Sequence, residues 1–380
     1  MNAKRTVIGI MVVIAVLVSS SVVAAENSSA DGEVSFDKYY YDQLTLDQKA
    51  IYNKLCELKA DTVTVSGSAG SYCIEVTIDA VYTVFGSQTL IEDQLKSDAL
   101  RAWQATKLDA NKGMDWAFWT WTLTDVNVTL GVTGIDITDV STSGVYKVNH
   151  YTLQIFVPDQ FAATDFFKNA VAGVNTALDK ITVSGDSVSE KVKSINKLLT
   201  SDPYKHVDDN TDHTYARTIY AIAEANAADG SYYLTSEAYA AVYKAICDKS
   251  IVPCSVVYGY NDSSTIIAWN VVSIDSKAYA VDVGSNAASS NKEKWLAAGT
   301  YSSVDGSAFG KLHQAFPTNA DPGLTYSFKS VTINVDGYAW PEEKDLFATL
   351  AHYAPWIITG LICVVLAIAL AVMAKKGAFN

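Results

Sequence analysis

The sequence predicts an α+β fold carried outside a membrane by one C-terminal helix. Three observations predict it. Apolar residues recur at helical spacing in some segments and alternate with polar ones in others, and one uninterrupted apolar run lies near the end of the chain. The expected division is a signal peptide at 1–25, a smaller N-terminal α+β domain at 26–165, a second and larger domain at 166–345, a transmembrane helix at 355–374 and a cytoplasmic tail at 375–380.

The N-terminus reads as a secretory signal. Lys4 and Arg5 precede an apolar run from Val7 to Val18, and Val23 and Ala25 suit cleavage before Glu26. Next, Leu46, Ile51, Tyr52 and Leu55 share a helical face that Thr45 or Asp47 can cap. "TVTVSGSAGSYCIEVTI" alternates around a Gly/Ser turn, as a hairpin does. Leu95, Leu100 and Trp103 mark a second helix, and two branched, alternating runs follow up to "YTLQIFV".

The second half opens with helical segments at "TDFFKNAVAGVNTALDKITV" and "SVSEKVKSINKLL". "KHVDDNTDHT" reads as a polar loop. "YARTIYAIAEANAADGS" and "YLTSEAYAAVYKAICDKS" read as helices, and "VPCSVVYGY", "IIAWNVVSID" and "KAYAVDVGS" as strands. "SFKSVTINVD" is the last expected strand. Trp356 to Ala374 is then free of charge, and its roughly 19 residues make a helix of about 28 Å, the thickness of a hydrocarbon core. Tyr353 and Trp356 suit one interface, and Lys375 and Lys376 the cytoplasmic one.

The formal net charge is −13, from 41 acidic and 28 basic residues. Lys4, Arg5, Lys375 and Lys376 all lie in the two terminal segments, so the region between is more acidic still. Such a surface repels phosphate backbones and argues against nucleic acid as a partner. Cys56, Cys73, Cys247 and Cys254 lie outside the expected span and Cys363 inside it. The four are candidate disulfide cysteines, with buried free thiols as the other reading, and spacing does not fix the pairing. No Cys-x-x-Cys pair or His/Cys cluster is present, so no metal or other cofactor is expected. Sequons place candidate glycosylation at Asn27, Asn127 and Asn261.

The order helix, strand, strand, strand over 234–285 can build a nucleophile site. It sets a nucleophile at the helix N-terminus, a histidine on one strand and an aspartate on the next. In this order "LTSEAYAAVYKAI", "VPCSVVYGY", "IAWNVV" and "AYAVDV" resemble the core of the transglutaminase-like superfamily, a papain-like arrangement of a helix packed on an antiparallel sheet. The resemblance places the family's cysteine at Ser236, its histidine at Ile267 and its aspartate at Asp282. It keeps Tyr239, Gly259, Trp269 and Asn270 as structural or pocket positions.

Ile267 cannot accept a proton, and a helix dipole contributes only about 0.3–1 kcal/mol, too little to ionise an alcohol. Ser236, or Thr235 beside it, is expected to act as an N-cap. Asp282 is expected to anchor neighbouring backbone or Trp269, and Trp269 to pack under the helix. None of His150, His206, His213, His313 and His352 is expected to supply the base, although His313 falls where relatives sometimes carry a histidine after the core. The resemblance therefore implies a catalytically degenerate domain that binds an extracellular protein, peptide or glycan, or serves as an envelope scaffold. The alternative is an active serine-variant hydrolase, transamidase or protease using Ser236 with a non-standard base.

Overall fold

The first half of the chain folds as helices against a curved antiparallel sheet. This computed structural model describes residues 36–79, 82–85, 88–109, 130–141, 145–162, 165–208, 213, 215–316, 328–341, 359, 362, 364 and 366–368. Helix α1 is Leu46–Glu57. Thr45 accepts from Gln48 N while the Gln48 side chain accepts from Thr45 N, a reciprocal capping box. After β1 (Val65–Ser66), β2 (Cys73–Ile78) and β3 (Tyr82–Phe85) comes helix α2 (Gln88–Asp109), followed by β4 (Leu130–Ser141) and β5 (Val145–Phe156). β5 is the spine of this sheet. β2 and β3 pair with successive stretches of it and β4 runs along it, with register shifts between Thr133 and Asp136 and between Asp139 and Ser141.

The second half builds the ground for the candidate site. Helices α3 (Phe166–Asp179) and α4 (Val188–Leu199) are followed by a short parallel pair, β6 (Tyr204–His206) and β7 (Tyr232–Leu234). β7 runs straight into helix α5 (Ser236–Lys249), which is buried from Ser236 through Cys247. Strands β8 (Cys254–Tyr260), β9 (Ile266–Ile274) and β10 (Lys277–Val281) form an antiparallel sheet. Helix α6 is Val283–Ala288, β11 (Ser303–Val304) pairs with β12 (Ser307–Ala308), and helix α7 is Phe309–Leu312. β13 (Gln314–Ala315) adds to the free edge of β8. This mixed architecture with antiparallel sheets agrees with the expected α+β class.

Residues up to Tyr338 form one unit and 339–380 another. Within the first, the two halves interlock through Tyr40, whose hydroxyl donates to Val256 O on β8 at 2.8 Å. Asp109 at the end of α2 accepts from Tyr40 N at 2.8 Å, Tyr41 N at 2.9 Å and the Tyr52 hydroxyl at 3.0 Å. In the second unit, Ile362, Val364, Leu366 and Ile368 are helical and more than half exposed. Among the described residues, no helix is long and apolar enough to cross a membrane. The signal at 1–25, Asn27, Asn127, Cys363 and most of the span expected at 355–374 lie outside the described residues.

Three local expectations are corrected. The helix expected after Tyr215 shrinks to a 3-10 turn over Ile219–Ile222. Asn226 and Asp229 instead accept from Ala228 N and Ser231 N, local turns that compete with helix. The polar loop expected from Lys205 begins as strand β6. The last expected strand is extended but irregular: Asn334 N donates to Ala278 O, and Thr300 N and Tyr301 N donate to Asn334 O and Val335 O.

Candidate functional site

Helix α5 brings Ser236 to the expected position, but not as a cap. Thr235 is the N-cap residue, and its hydroxyl donates to Glu237 Oε2 at 2.8 Å and makes no cap hydrogen bond. The Ser236 hydroxyl is buried and, among the described residues, makes no hydrogen bond. Glu237 is fully buried in the same first turn, with Arg217 Nη2 3.9 Å from its Oε1. A carboxyl group there competes for the positive end of the helix and disfavours a developing oxyanion beside it. Sequence reasoning missed this residue; an acid directly after the nucleophile position was the available signal.

Strand alternation decides what the β9 motif can touch. Asn270 faces α5, where its Nδ2 donates to Ala240 O at 2.9 Å. Trp269 points to the opposite face, into the cluster of Val271, Ala280, Trp295 and Phe309, so the expectation that it packs under the helix is wrong. Ile267 packs against that same cluster. Gly259, opposite Ile267 in the ladder, is required by close approach: a Cβ there would lie 2.1 Å from Gln314 O and 2.7 Å from Trp269 Cη2.

Asp282 ends β10 and caps α6. Its Oδ1 accepts from Ser285 N at 2.9 Å and its Oδ2 from the Ser285 hydroxyl at 2.5 Å. The same Oδ2 lies 2.8 Å from His313 Nε2. Backbone anchoring is thus as expected, but the side-chain partner is His313 in place of Trp269. The His313 ring stacks on Phe309 at 3.8 Å and stands edge-on to Trp269 at 5.3 Å. Its Nδ1 lies 3.1 Å from Phe309 O, and since a carbonyl only accepts, Nδ1 carries a proton.

Burial alone pushes the Asp282 carboxyl up, but the hydrogen bond and charge of His313, with the Ser285 contacts, outweigh it and hold the carboxyl below its ordinary value. Both ring nitrogens thus lie within hydrogen-bond distance of other groups, Phe309 O and Asp282 Oδ2, and among the described residues neither is bonded to Ser236.

Gly284 gathers the remaining parts. A methyl group there would meet Ser236 Cα at 3.2 Å, Asp282 Oδ1 at 3.5 Å and His206 Cδ2 at 3.7 Å. Tyr239, one turn along α5 from Ser236, lies under the His206 ring at 6.1 Å, and among the described residues its buried hydroxyl makes no hydrogen bond. Ser236, Tyr239, Asp282 and His206 therefore converge, while Ile267, Trp269 and Gly259 belong to the packing behind His313.

Of the two readings of the cysteines, the structure has Cys56, Cys73, Cys247 and Cys254 as free thiols. The Cys56 thiol is hydrogen-bonded to Tyr52, and burial pushes it up to about 11. Asn261 lies in the β8–β9 turn, with its Oδ1 accepting from Ser263 N and Thr265 N. Among the described residues, no three His, Cys, Asp or Glu side chains are placed to hold a metal.

No family model and no curated protein matches the chain. Similar solved structures include a crystal structure of a TGase, at 12% identity over 40% of this chain and 44% of that one, with a TM-score of 0.21. A candidate cysteine protease from Cytophaga hutchinsonii is similar at 13% identity over 41% of this chain and 64% of that one, with a TM-score of 0.23. A candidate protease from Parabacteroides distasonis is similar at 15% identity over 40% and 37%, with a TM-score of 0.21. The chain spans less than two thirds of the length of each.

Proposed function

We propose that the chain is a single-span surface protein whose transglutaminase-like domain binds a ligand and performs no amide chemistry. One observation carries this reading: among the described residues, the Ser236 hydroxyl is hydrogen-bonded to no base. Among the described residues its oxygen makes no hydrogen bond, position 267 is isoleucine, and both His313 nitrogens are engaged elsewhere, at Asp282 Oδ2 and at Phe309 O. An alcohol without a base is a weak nucleophile at neutral pH. The surface placement rests on the N-terminal signal pattern, the uncharged run from Trp356 to Ala374 and the lysines after it. Extracellular proteins, peptides and glycans remain the partner classes.

The Asp282–His313 pair favours a second reading, a serine-variant hydrolase, transamidase or protease. That enzyme requires His313 to leave Phe309 O and turn a ring nitrogen to Ser236. Incubating the full chain with a panel of amide and ester substrates separates the two readings. No turnover is expected; turnover that disappears in Ser236→Ala overturns the binding reading.

A further inference from the structure

The parallel pair β6–β7 leads away from the converged site into a cleft of about 540 Å³, within the size range of small-ligand sites. Its walls are the last turns of α3 and α4 and the 3-10 turn over 219–222. Tyr204 and Tyr232, paired across the two strands, stack at 5.6 Å and 29° and line it half-buried. His206 lies two residues beyond Tyr204, and Ser236 lies four beyond Tyr232, so the same strands join the cleft to the site.

The lining chemistry selects the ligand. Thr176 and Ser201 bring exposed hydroxyls that donate to Ala172 O and Leu198 O and so face a ligand as acceptors, and Lys180 and Asp202 bring one cation and one anion, both at exposed positions. These two charges offset each other, which gives a charged ligand no net attraction. Tyrosine rings offer flat, amphipathic contact faces at low entropic cost. The backbone offers no strand ladder here, because Tyr204 N donates to Ser201 O and Tyr232 N to Pro203 O. A ligand suited to such walls has an apolar face for the rings, hydroxyl groups for the rim and no net charge.

From this we infer that the cleft is a saccharide-binding subsite, an inference that rests on the binding reading given above. The Tyr204–Tyr232 platform takes the C–H face of a sugar ring, and Thr176, Ser201, Lys180 and Asp202 meet its hydroxyls.

The test is a glycan array probed with the full chain, followed by titration of the strongest saccharide and a parallel peptide array. Tyr232→Ala removes half of the platform, and Thr176→Arg fills the cleft from an exposed helical position without touching the core. A bound saccharide is expected, with affinity lowered about tenfold or more by each variant at unchanged melting temperature. Should Tyr232→Ala unfold the chain, Thr176→Arg alone decides. Saccharide binding unaffected by Thr176→Arg contradicts the subsite. A peptide bound in place of a saccharide, and lost in the same variants, overturns the saccharide class and leaves the binding reading intact. No ligand on either array overturns the saccharide subsite, while the binding reading is decided separately by the substrate-turnover test.

Discussion

His313 Nε2 stands 2.8 Å from Asp282 Oδ2 in a buried pair, although 31 residues separate the two in the chain. Removing one partner leaves the other's polar or charged group buried and uncompensated, a loss of about 3–5 kcal/mol for ion pairs of this kind. His313→Ala is therefore expected to destabilise the protein by that amount in chemical denaturation. Ser285→Ala removes one hydroxyl from the same carboxylate and is expected to cost only about 1 kcal/mol.

Ser236→Ala is expected to behave in the opposite sense. The hydroxyl is buried and, among the described residues, makes no hydrogen bond, so it is desolvated without compensation. Its removal is expected to leave stability unchanged or raise it by about 1 kcal/mol. A destabilisation well beyond that amount in the same denaturation experiment would show that the oxygen has a partner in solution.

Gly259→Ala tests the seating of His313. The added methyl meets Gln314 O and Trp269, so β13 must shift from β8, and His313 is the residue next to Gln314. Overpacking of this sort costs about 1–3 kcal/mol or more. A lowered melting temperature is expected, together with greater exposure of Trp269 by fluorescence quenching.

Asp109 gives the fold a pH dependence with a definite sign. Burial pushes its carboxyl from 3.8 up to about 6, against the lowering effect of hydrogen bonds from Tyr40, Tyr41 and Tyr52. The folded state then holds this proton more tightly than the unfolded state. Stability contributed by protonated Asp109 is lost as pH rises from about 4 through about 6, on the order of 2–3 kcal/mol. Denaturation midpoints measured across that window should fall with rising pH, and Asp109→Asn should flatten the fall. Asp282 acts at the other end: its carboxyl is held low, so its contribution is present above its ordinary value and lost as pH falls below it.

Much of the fold was legible because its cues are local. Thr45 and the face of Leu46, Ile51, Tyr52 and Leu55 announce α1, and branched, apolar runs announce β8, β9 and β10. The resemblance of four segments to the transglutaminase-like core pointed to Ser236, Ile267 and Asp282. The His313 partnership was not legible, because an irregular path joins it to Asp282 and no periodicity marks that path. Trp269 was placed on the wrong face because its neighbours resembled a motif, whereas the period of two assigns the helix-facing side to Asn270. The helix expected after Tyr215 failed because Asn226 and Asp229 satisfy the backbone locally. The Tyr204–Tyr232 platform needs a parallel pairing between distant segments, which composition does not encode.

The most direct test of the central claim is active-site labelling. The full chain is treated with a fluorophosphonate at neutral pH and its intact mass and peptide map are recorded. An unactivated Ser236 predicts no adduct at that residue after prolonged exposure. One adduct per chain on Ser236 would contradict the account.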